Sequence, residues 1–95
     1  MSRQKDLEPI FSATESGFFM RFENGWGISV QWKSRGGLHL CSVQNLQGDF
    51  VQAEVGVFNQ EGDMIQLSTS DTILGWQSTD DVASLISKVS MGHLG

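Results

Sequence analysis

The sequence contains a single cysteine, Cys41, and a single proline, Pro9. One thiol excludes an internal disulfide and a zinc site built from cysteines. No apolar run approaches the roughly 18 residues that a membrane-spanning helix needs. The first residues include two basic side chains but no apolar stretch, so we expect no signal peptide and a cytoplasmic protein.

The apolar residues are numerous and evenly spread. The 95 residues suffice for one domain with a single core, and an apolar content of 39% is too high for a disordered chain. The 11 glycines and the near absence of proline suit an all-β or α+β chain with many tight turns.

The charge is distributed unevenly along the chain. The net charge is −5, and residues 1–43 carry five basic and four acidic side chains, whereas residues 44–95 carry one basic and seven acidic ones. Because an acidic chain repels phosphate backbones, we expect no direct nucleic-acid binding. A basic protein surface is the more suitable partner, although net negative charge also serves simply to keep a protein soluble.

Alternation of apolar and polar residues predicts most of the secondary structure. Five strands are predicted, over residues 17–23, 26–33, 38–44, 50–58 and 63–67. Residues 72–76 are either a sixth strand or an extended lead-in to a helix. Residues 1–16 are polar with isolated apolar side chains and are predicted to form a loosely ordered N-terminal arm, outside a single α+β domain over residues 17–92.

The last part of the chain predicts one helix. Ser78 is a suitable N-cap, Asp81 completes a capping box, and Gly92 is the expected C-terminal stop. The helix has an apolar stripe at i, i+3, i+4 and i+7, made of Val82, Leu85, Ile86 and Val89. We therefore predict an α+β fold in which an antiparallel sheet of five or six strands carries a single C-terminal helix on one face.

The turn of the first hairpin decides which side chains enter the core. A two-residue turn at Asn24-Gly25 would leave the apolar faces of the two strands on opposite sides of the sheet. A three-residue turn, Glu23-Asn24-Gly25 with Gly25 left-handed, places the large side chains on one face instead. It pairs Phe22 with Trp26, Met20 with Ile28 and Phe18 with Val30. Burial of these side chains, at about 1.5–3 kcal/mol each, favours the three-residue turn.

The second hairpin follows the same logic. A three-residue loop over residues 60–62, with Gly62 left-handed, would pair Val57 with Ile65 and Val55 with Leu67. The resulting sheet would be about 20 Å or more across, whereas one helix is about 10 Å thick. Tryptophan side chains or a second subunit would have to cover the remainder of the apolar face, and a homodimer is one expectation.

Candidate catalytic groups are few. His39 and Cys41 lie at i and i+2 of a predicted strand, about 7 Å apart, which is too far for a thiolate–imidazole pair. We interpret them as a buried thiol beside a partly exposed histidine. The clustered glycines are typical of turns, and the sequence has no metal-ligand or nucleotide-loop pattern. The prediction is a non-enzymatic protein without catalytic residues, cofactor or metal.

The sheet face turned away from the predicted helix is the candidate binding surface. It holds three phenylalanines among polar and charged side chains, and such a patch is typical of protein–protein contacts. The predicted partner-binding residues are Phe19, Phe50, Glu54, Phe58, Glu61 and Asp63. The alternative is that each phenylalanine is covered locally, for example by the N-terminal arm.

Three stretches of the chain resemble small hypothetical proteins encoded by bacteriophages and prophages. They are "NGWGISVQW" (24–32), "AEVGVFNQEGDMI" (53–65) and "ILGWQSTDDVASLISKVS" (73–90). The resemblance implies an accessory protein of a mobile element, made in a bacterial cytoplasm, and carries over no functional residues. Small acidic phage proteins often inhibit host defence systems, including CRISPR effectors, by binding a protein surface.

These observations lead to a ranked set of functions. The leading hypothesis is a non-enzymatic, anti-CRISPR-like inhibitor that binds a host or phage protein and competes for a basic, nucleic-acid-binding surface. The main alternative is a structural or assembly protein of a phage particle, in which the uncovered sheet builds an oligomer. A small-ligand-binding module is the second alternative. None of the three requires a membrane.

Overall fold

The computed structural model describes residues 8–32, 44–67 and 72–93. They form a five-stranded antiparallel sheet in the order β1-β2-β3-β4-β5, with one helix near the C-terminus. The elements are β1 (Ile10–Thr14), β2 (Gly17–Arg21), β3 (Gly27–Gln31), β4 (Ala53–Phe58), β5 (Ile73–Gln77) and α1 (Thr79–Ser90). The predicted α+β class is confirmed.

The first strand corrects the prediction for the start of the chain. Ile10–Thr14 pair residue by residue with β2, so the loosely ordered arm predicted over residues 1–16 is wrong for this segment. Glu15 and Ser16 form the short turn between the two strands. All five residues of β1 are exposed. The alternation that marks a half-buried strand is therefore missing, which is why the sequence pattern does not reveal β1.

The hairpin formed by β2 and β3 has the predicted three-residue turn. Phe18 pairs with Val30 and Met20 with Ile28. The Phe22 N–H donates to the Trp26 carbonyl at 2.8 Å, and Gly25 has a φ of 89°. Burial of side chains on one face therefore does decide the turn type.

The core lies between this face of the sheet and α1. Its buried residues are Ile28, Val30, Ala53, Val55, Val57 and Val89. Half-buried side chains pack around them, among them Phe18, Met20, Phe22, Trp26, Trp32, Val82, Leu85 and Ile86. The predicted apolar stripe of the helix and the predicted apolar face of the first hairpin thus meet.

Two segments of the chain pair with β4 on the side away from β3. The Ile65 N–H donates to the Val57 carbonyl at 2.9 Å, and Gly62 has a φ of 86°, as the predicted loop requires. The predicted pairing of Val55 with Leu67 is wrong, because Val55 pairs with Leu74 of β5. Residues 63–67 therefore contribute an isolated bridge at Met64 instead of a strand, and residues 73–77 supply the fifth strand.

The other strand predictions differ from the structure mainly at their ends. The strand predicted over residues 50–58 begins at Ala53. The strand predicted over residues 38–44 lies outside the described residues except for Gln44, which forms an isolated bridge with Phe50.

Strand β5 is interrupted by a bulge. Val55 lies opposite Leu74 and Ala53 opposite Gln77, so two residues of β5 face Glu54 alone. Trp76 in this bulge has a φ of 58° and is 56% exposed. A left-handed conformation costs a residue with a Cβ atom roughly 1–2 kcal/mol.

The helix has the caps that the sequence predicts. The Asp81 N–H donates to Ser78 Oγ at 3.1 Å, and the Ser78 N–H donates to Asp81 Oδ2 at 3.0 Å. At the other end, Gly92 has a φ of 77° and the His93 N–H donates to the Lys88 carbonyl at 2.8 Å. This is the Schellman arrangement, which satisfies carbonyls that would otherwise lack a partner.

Asn24 joins the turn of the first hairpin to the end of the helix. Its Nδ2 donates to the Val89 carbonyl at 2.8 Å, and its Oδ1 accepts from the Trp26 N–H at 2.9 Å. The carbonyl of Asn24 in turn accepts from Gln60 Nε2 at 2.8 Å. Asn24 therefore connects the turn of the first hairpin to the end of the helix and to the turn after β4.

We expect Asn24→Asp to destabilise the fold by about 1–3 kcal/mol, because a carboxylate retains the acceptor but loses the donor and faces helix-end carbonyls. Asn24→Ala should cost about 1 kcal/mol. Urea unfolding measures both, with Glu23→Gln as the control in the same turn. Equal stability of Asn24→Asp and the wild type would contradict a structural role for the Val89 contact.

Candidate functional site

The candidate site lies on the sheet face opposite α1, here called the outer face. Strand register brings its side chains into rows across the sheet. One row contains Arg21, Gly27 and Phe58, and the next contains Ser12, Phe19, Ser29, Gly56 and Ile73. The predicted assignment of Phe19 and Phe58 to this face is therefore correct.

Phe19 and Phe58 contact each other although β3 separates their strands. Their ring centroids are 5.8 Å apart with an interplanar angle of 67°, an edge-to-face arrangement. Gly27 of β3 lies under the Phe19 ring, and a Cβ atom there would be 2.6 Å from Phe19 Cζ. The absence of a side chain at Gly27 is what allows the two rings to meet.

The aromatic pair lines a depression of about 390 Å³. Arg21 and Glu61 also line it, so groups of opposite charge lie beside the two rings. The Arg21 Nε donates to the Glu8 carbonyl at 2.9 Å, which fixes one side of the depression to the segment before β1. The surface therefore offers apolar contact at its centre and charge at its rim.

Glu61 is held at the rim by the turn that contains it. The Asn59 Oδ1 accepts from the N–H groups of Glu61 and Asp63, both at 3.0 Å, and the Asn59 N–H donates to the Asp63 carbonyl at 2.9 Å. This turn is also tied to the first hairpin through Gln60 and Asn24. Asp63 is exposed in the same turn but does not line the depression.

Two of the predicted partner-binding residues lie away from the aromatic pair. Glu54 is on the outer face but in the row of Gln31, with the row of Ser29 and Gly56 between it and Phe58. The predicted assignment of Phe50 to the outer face is wrong, because Phe50 lines a different cavity of about 210 Å³ with Phe18, Trp32 and Val82. Phe50 precedes the start of β4, so the alternation that assigned it to the outer face does not extend to it.

The sequence interpretation missed two apolar side chains of the outer face. A Cβ atom at Gly56 would be 2.7 Å from Met64 Cε and 3.2 Å from Ile73 Cδ1, so both side chains lie over this glycine beside Phe58. Met64 is 39% exposed. The alternation of β4 marks Gly56 as an outer-face position, but the strand order needed to place Ile73 beside it is not encoded in any local pattern.

Two turns of the chain also share a short sequence motif. "NLQGD" (45–49) and "NQEGD" (59–63) share the pattern N-x-x-G-D and form the same turn. The Asn45 Oδ1 accepts from the N–H groups of Gln47 and Asp49 at 2.9 Å, as Asn59 does in the second turn. The spacing of asparagine, glycine and aspartate was the available signal for both turns.

The other candidate groups add nothing to this surface. Within residues 8–32, 44–67 and 72–93, no three His, Cys, Asp or Glu side chains are grouped to hold a metal ion. His39 and Cys41 lie outside the described residues. No helix in the described part of the chain has the length and apolar character to cross a membrane.

Comparison with protein-family models, with curated proteins and with solved structures finds no match to this chain.

We expect Gly27→Ala to push the Phe19 ring away from Phe58, because the new methyl group would lie only 2.6 Å from Phe19 Cζ. The variant should lose nuclear Overhauser effects between the two rings. Its free energy of unfolding, measured with urea, should fall by about 1–3 kcal/mol. Ser29→Ala, on the same strand and face, is the control. Unchanged ring contacts in Gly27→Ala would show that Gly27 does not set the aromatic pair.

Proposed function

We propose that this protein acts, without catalysis, by binding a protein partner through the outer face. The observation that supports this is the edge-to-face pair of Phe19 and Phe58 on the face opposite the helix, with Arg21 and Glu61 beside it. Binding energy in protein interfaces is concentrated in a few such anchors, and the contacts around them contribute little energy but exclude water. Phe19 and Phe58 are the proposed anchors.

The charge of the site favours a basic partner. Glu61 and Asp63 are exposed in the turn next to the aromatic pair, Glu54 shares the outer face, and the net charge of the chain is −5. Complementary charge accelerates association and selects among partners more than it raises affinity. These three acidic side chains are therefore proposed to steer a basic surface onto the two rings.

The most concrete form of this proposal is inhibition of a bacterial defence system, of the anti-CRISPR kind, in the cytoplasm of a host cell. A nucleic-acid-binding surface of a defence nuclease is basic, and an acidic protein anchored there would compete with the nucleic acid. The net charge of −5 is the observation that supports this form.

A small-ligand-binding module is the second candidate, and one cavity favours it. The cavity of about 210 Å³ between the sheet and the start of α1 is lined largely by apolar side chains, including Trp32 and Phe50. Ligand sites are concave and mostly apolar. A ligand that enters this cavity would change the fluorescence of Trp32, whereas a partner on the outer face would not contact it.

The anchor proposal predicts which substitutions weaken capture of a partner from bacterial lysate on the immobilised protein. Phe58→Ala and Phe19→Ala should each weaken binding by about 30-fold, the effect of losing roughly 2 kcal/mol at an anchor. Leu46→Ala is the matched control, since Leu46 is 100% exposed and does not line the depression. The proposal fails if the phenylalanine variants fold normally and capture the same protein as well as Leu46→Ala does.

The steering proposal predicts a dependence on ionic strength. With the captured partner, the double variant Glu61→Gln/Asp63→Asn should associate about tenfold more slowly at low salt and respond less to added salt. The variant Asp49→Asn/Asp80→Asn removes the same charge at other exposed positions and is the control. Stopped-flow or surface-binding kinetics measure the rates, and equal slowing by both variants would show that net charge matters and not its position.

A further inference from the structure

The edge strand β1 offers a second surface, distinct from the outer face. Among the described residues, β1 pairs with β2 on one side and has no strand on the other. The strand, "IFSAT", carries no charged residue, and Phe11 is 86% exposed. An uncharged, regular edge is a template for pairing with another strand.

The opposite edge of the sheet is less suited to such pairing. Strand β5 contains the bulge at Trp76, which interrupts its register with β4. Bulges twist an edge and protect it from pairing. Strand β1, in contrast, keeps an unbroken register with β2 over its whole length.

The direction of the backbone groups of β1 follows from the hydrogen bonds at the two ends of β2. The Phe22 N–H donates to the Trp26 carbonyl and the Trp32 N–H donates to the Ser16 carbonyl, so even-numbered residues of β2 bond to β3. Because antiparallel ladders alternate, the odd-numbered residues of β2 bond to β1. Their partners are Ile10, Ser12 and Thr14.

The N–H and C=O groups of Phe11 and Ala13 therefore point away from the sheet. We propose that they bind a second copy of this chain, in an antiparallel pair of β1 strands with Ser12 opposite the partner subunit's Ser12. In this register Phe11 lies opposite the partner subunit's Ala13, and Ala13 opposite the partner subunit's Phe11. All four outward N–H groups and all four outward carbonyls of these residues then form four hydrogen bonds across the two-fold axis.

Neighbouring registers fit less well. Placing Phe11 opposite the partner subunit's Phe11 would bring Ala13 against the partner subunit's Pro9, which has no N–H to donate. Placing Ala13 opposite the partner subunit's Ala13 would bring Phe11 against the partner subunit's Glu15, which belongs to the turn that ends β1. The self-complementary segment is thus confined to residues 10–14 and centred on Ser12.

The proposed register also gives Phe11 a contact. Phe11 points to the same side of the sheet as Met20, with which it pairs, and thus to the side of the core. Opposite it in the dimer is the small side chain of Ala13, so the two Phe11 rings lie diagonally within about 7–8 Å of each other. The two-fold axis is perpendicular to the sheet, so both helices lie on one side and both outer faces on the other.

A cysteine cross-link tests the register directly. In a background with Cys41 replaced by Ser, the variant Ser12→Cys places two thiols in directly opposite, non-hydrogen-bonded positions, about 4.5 Å apart between Cα atoms. Thr14→Cys, on the same strand and face, places its thiol opposite the partner subunit's Ile10 instead. We expect disulfide-linked dimers to form at least tenfold faster with Ser12→Cys than with Thr14→Cys. Equal or slower cross-linking of Ser12→Cys would overturn the register.

The association itself is measured by sedimentation equilibrium on the full chain. Wild-type protein should double its mass as concentration rises, and Ala13→Pro, which removes an outward N–H but no bond to β2, should raise the dissociation constant about tenfold or more. Phe11→Lys should do the same, whereas Leu46→Lys adds the same charge at an exposed site and should not. A monomer up to about millimolar concentration, or dimers unaffected by both β1 variants, would overturn the proposal.

Discussion

The three-residue turn between β2 and β3 is the constraint on which the rest of this structure depends. Gly25 takes a φ of 89°, which shifts the register by one residue and places Met20 and Ile28 on the same face. The same turn presents Asn24 to the helix end and to Gln60. The core, the position of α1 and the loop that carries Glu61 are therefore all set from this turn, and the outer face receives Phe19 as a direct consequence.

The sequence predicts well those parts of the fold that burial decides. The turn at Gly25 and the helix from Thr79 could be predicted because a wrong choice would expose several large side chains or leave helix ends without partners. Strand β1 could not, because its residues are exposed whether or not it pairs. The partner of Val55 could not be predicted either, since Leu67 and Leu74 offer equivalent apolar side chains and only the competition for one strand edge selects Leu74.

The candidate site shows the same division between local and non-local information. Alternation assigns Phe19 and Phe58 to one face, but their contact depends on β3 lying between their strands and on Gly27 lying under the Phe19 ring. Strand order is a property of the whole chain, so no pattern in β2 or β4 contains it. Phe50 shows the limit of local patterns, because the alternation of β4 does not continue before Ala53 and so does not predict the face on which Phe50 lies.

The outer face and the edge of β1 use different groups of the same sheet, and neither use obstructs the other. Side chains of the outer face project perpendicular to the sheet, whereas the outward N–H and C=O groups of Phe11 and Ala13 lie in its plane. Pairing through the edge would extend the outer face across the two-fold axis, with the two β2 strands three strand spacings, about 14 Å, apart. A dimer of this kind would present two pairs of Phe19 and Phe58 on one continuous surface, so a partner with repeated or two-fold symmetric sites would bind it more tightly than it binds one copy.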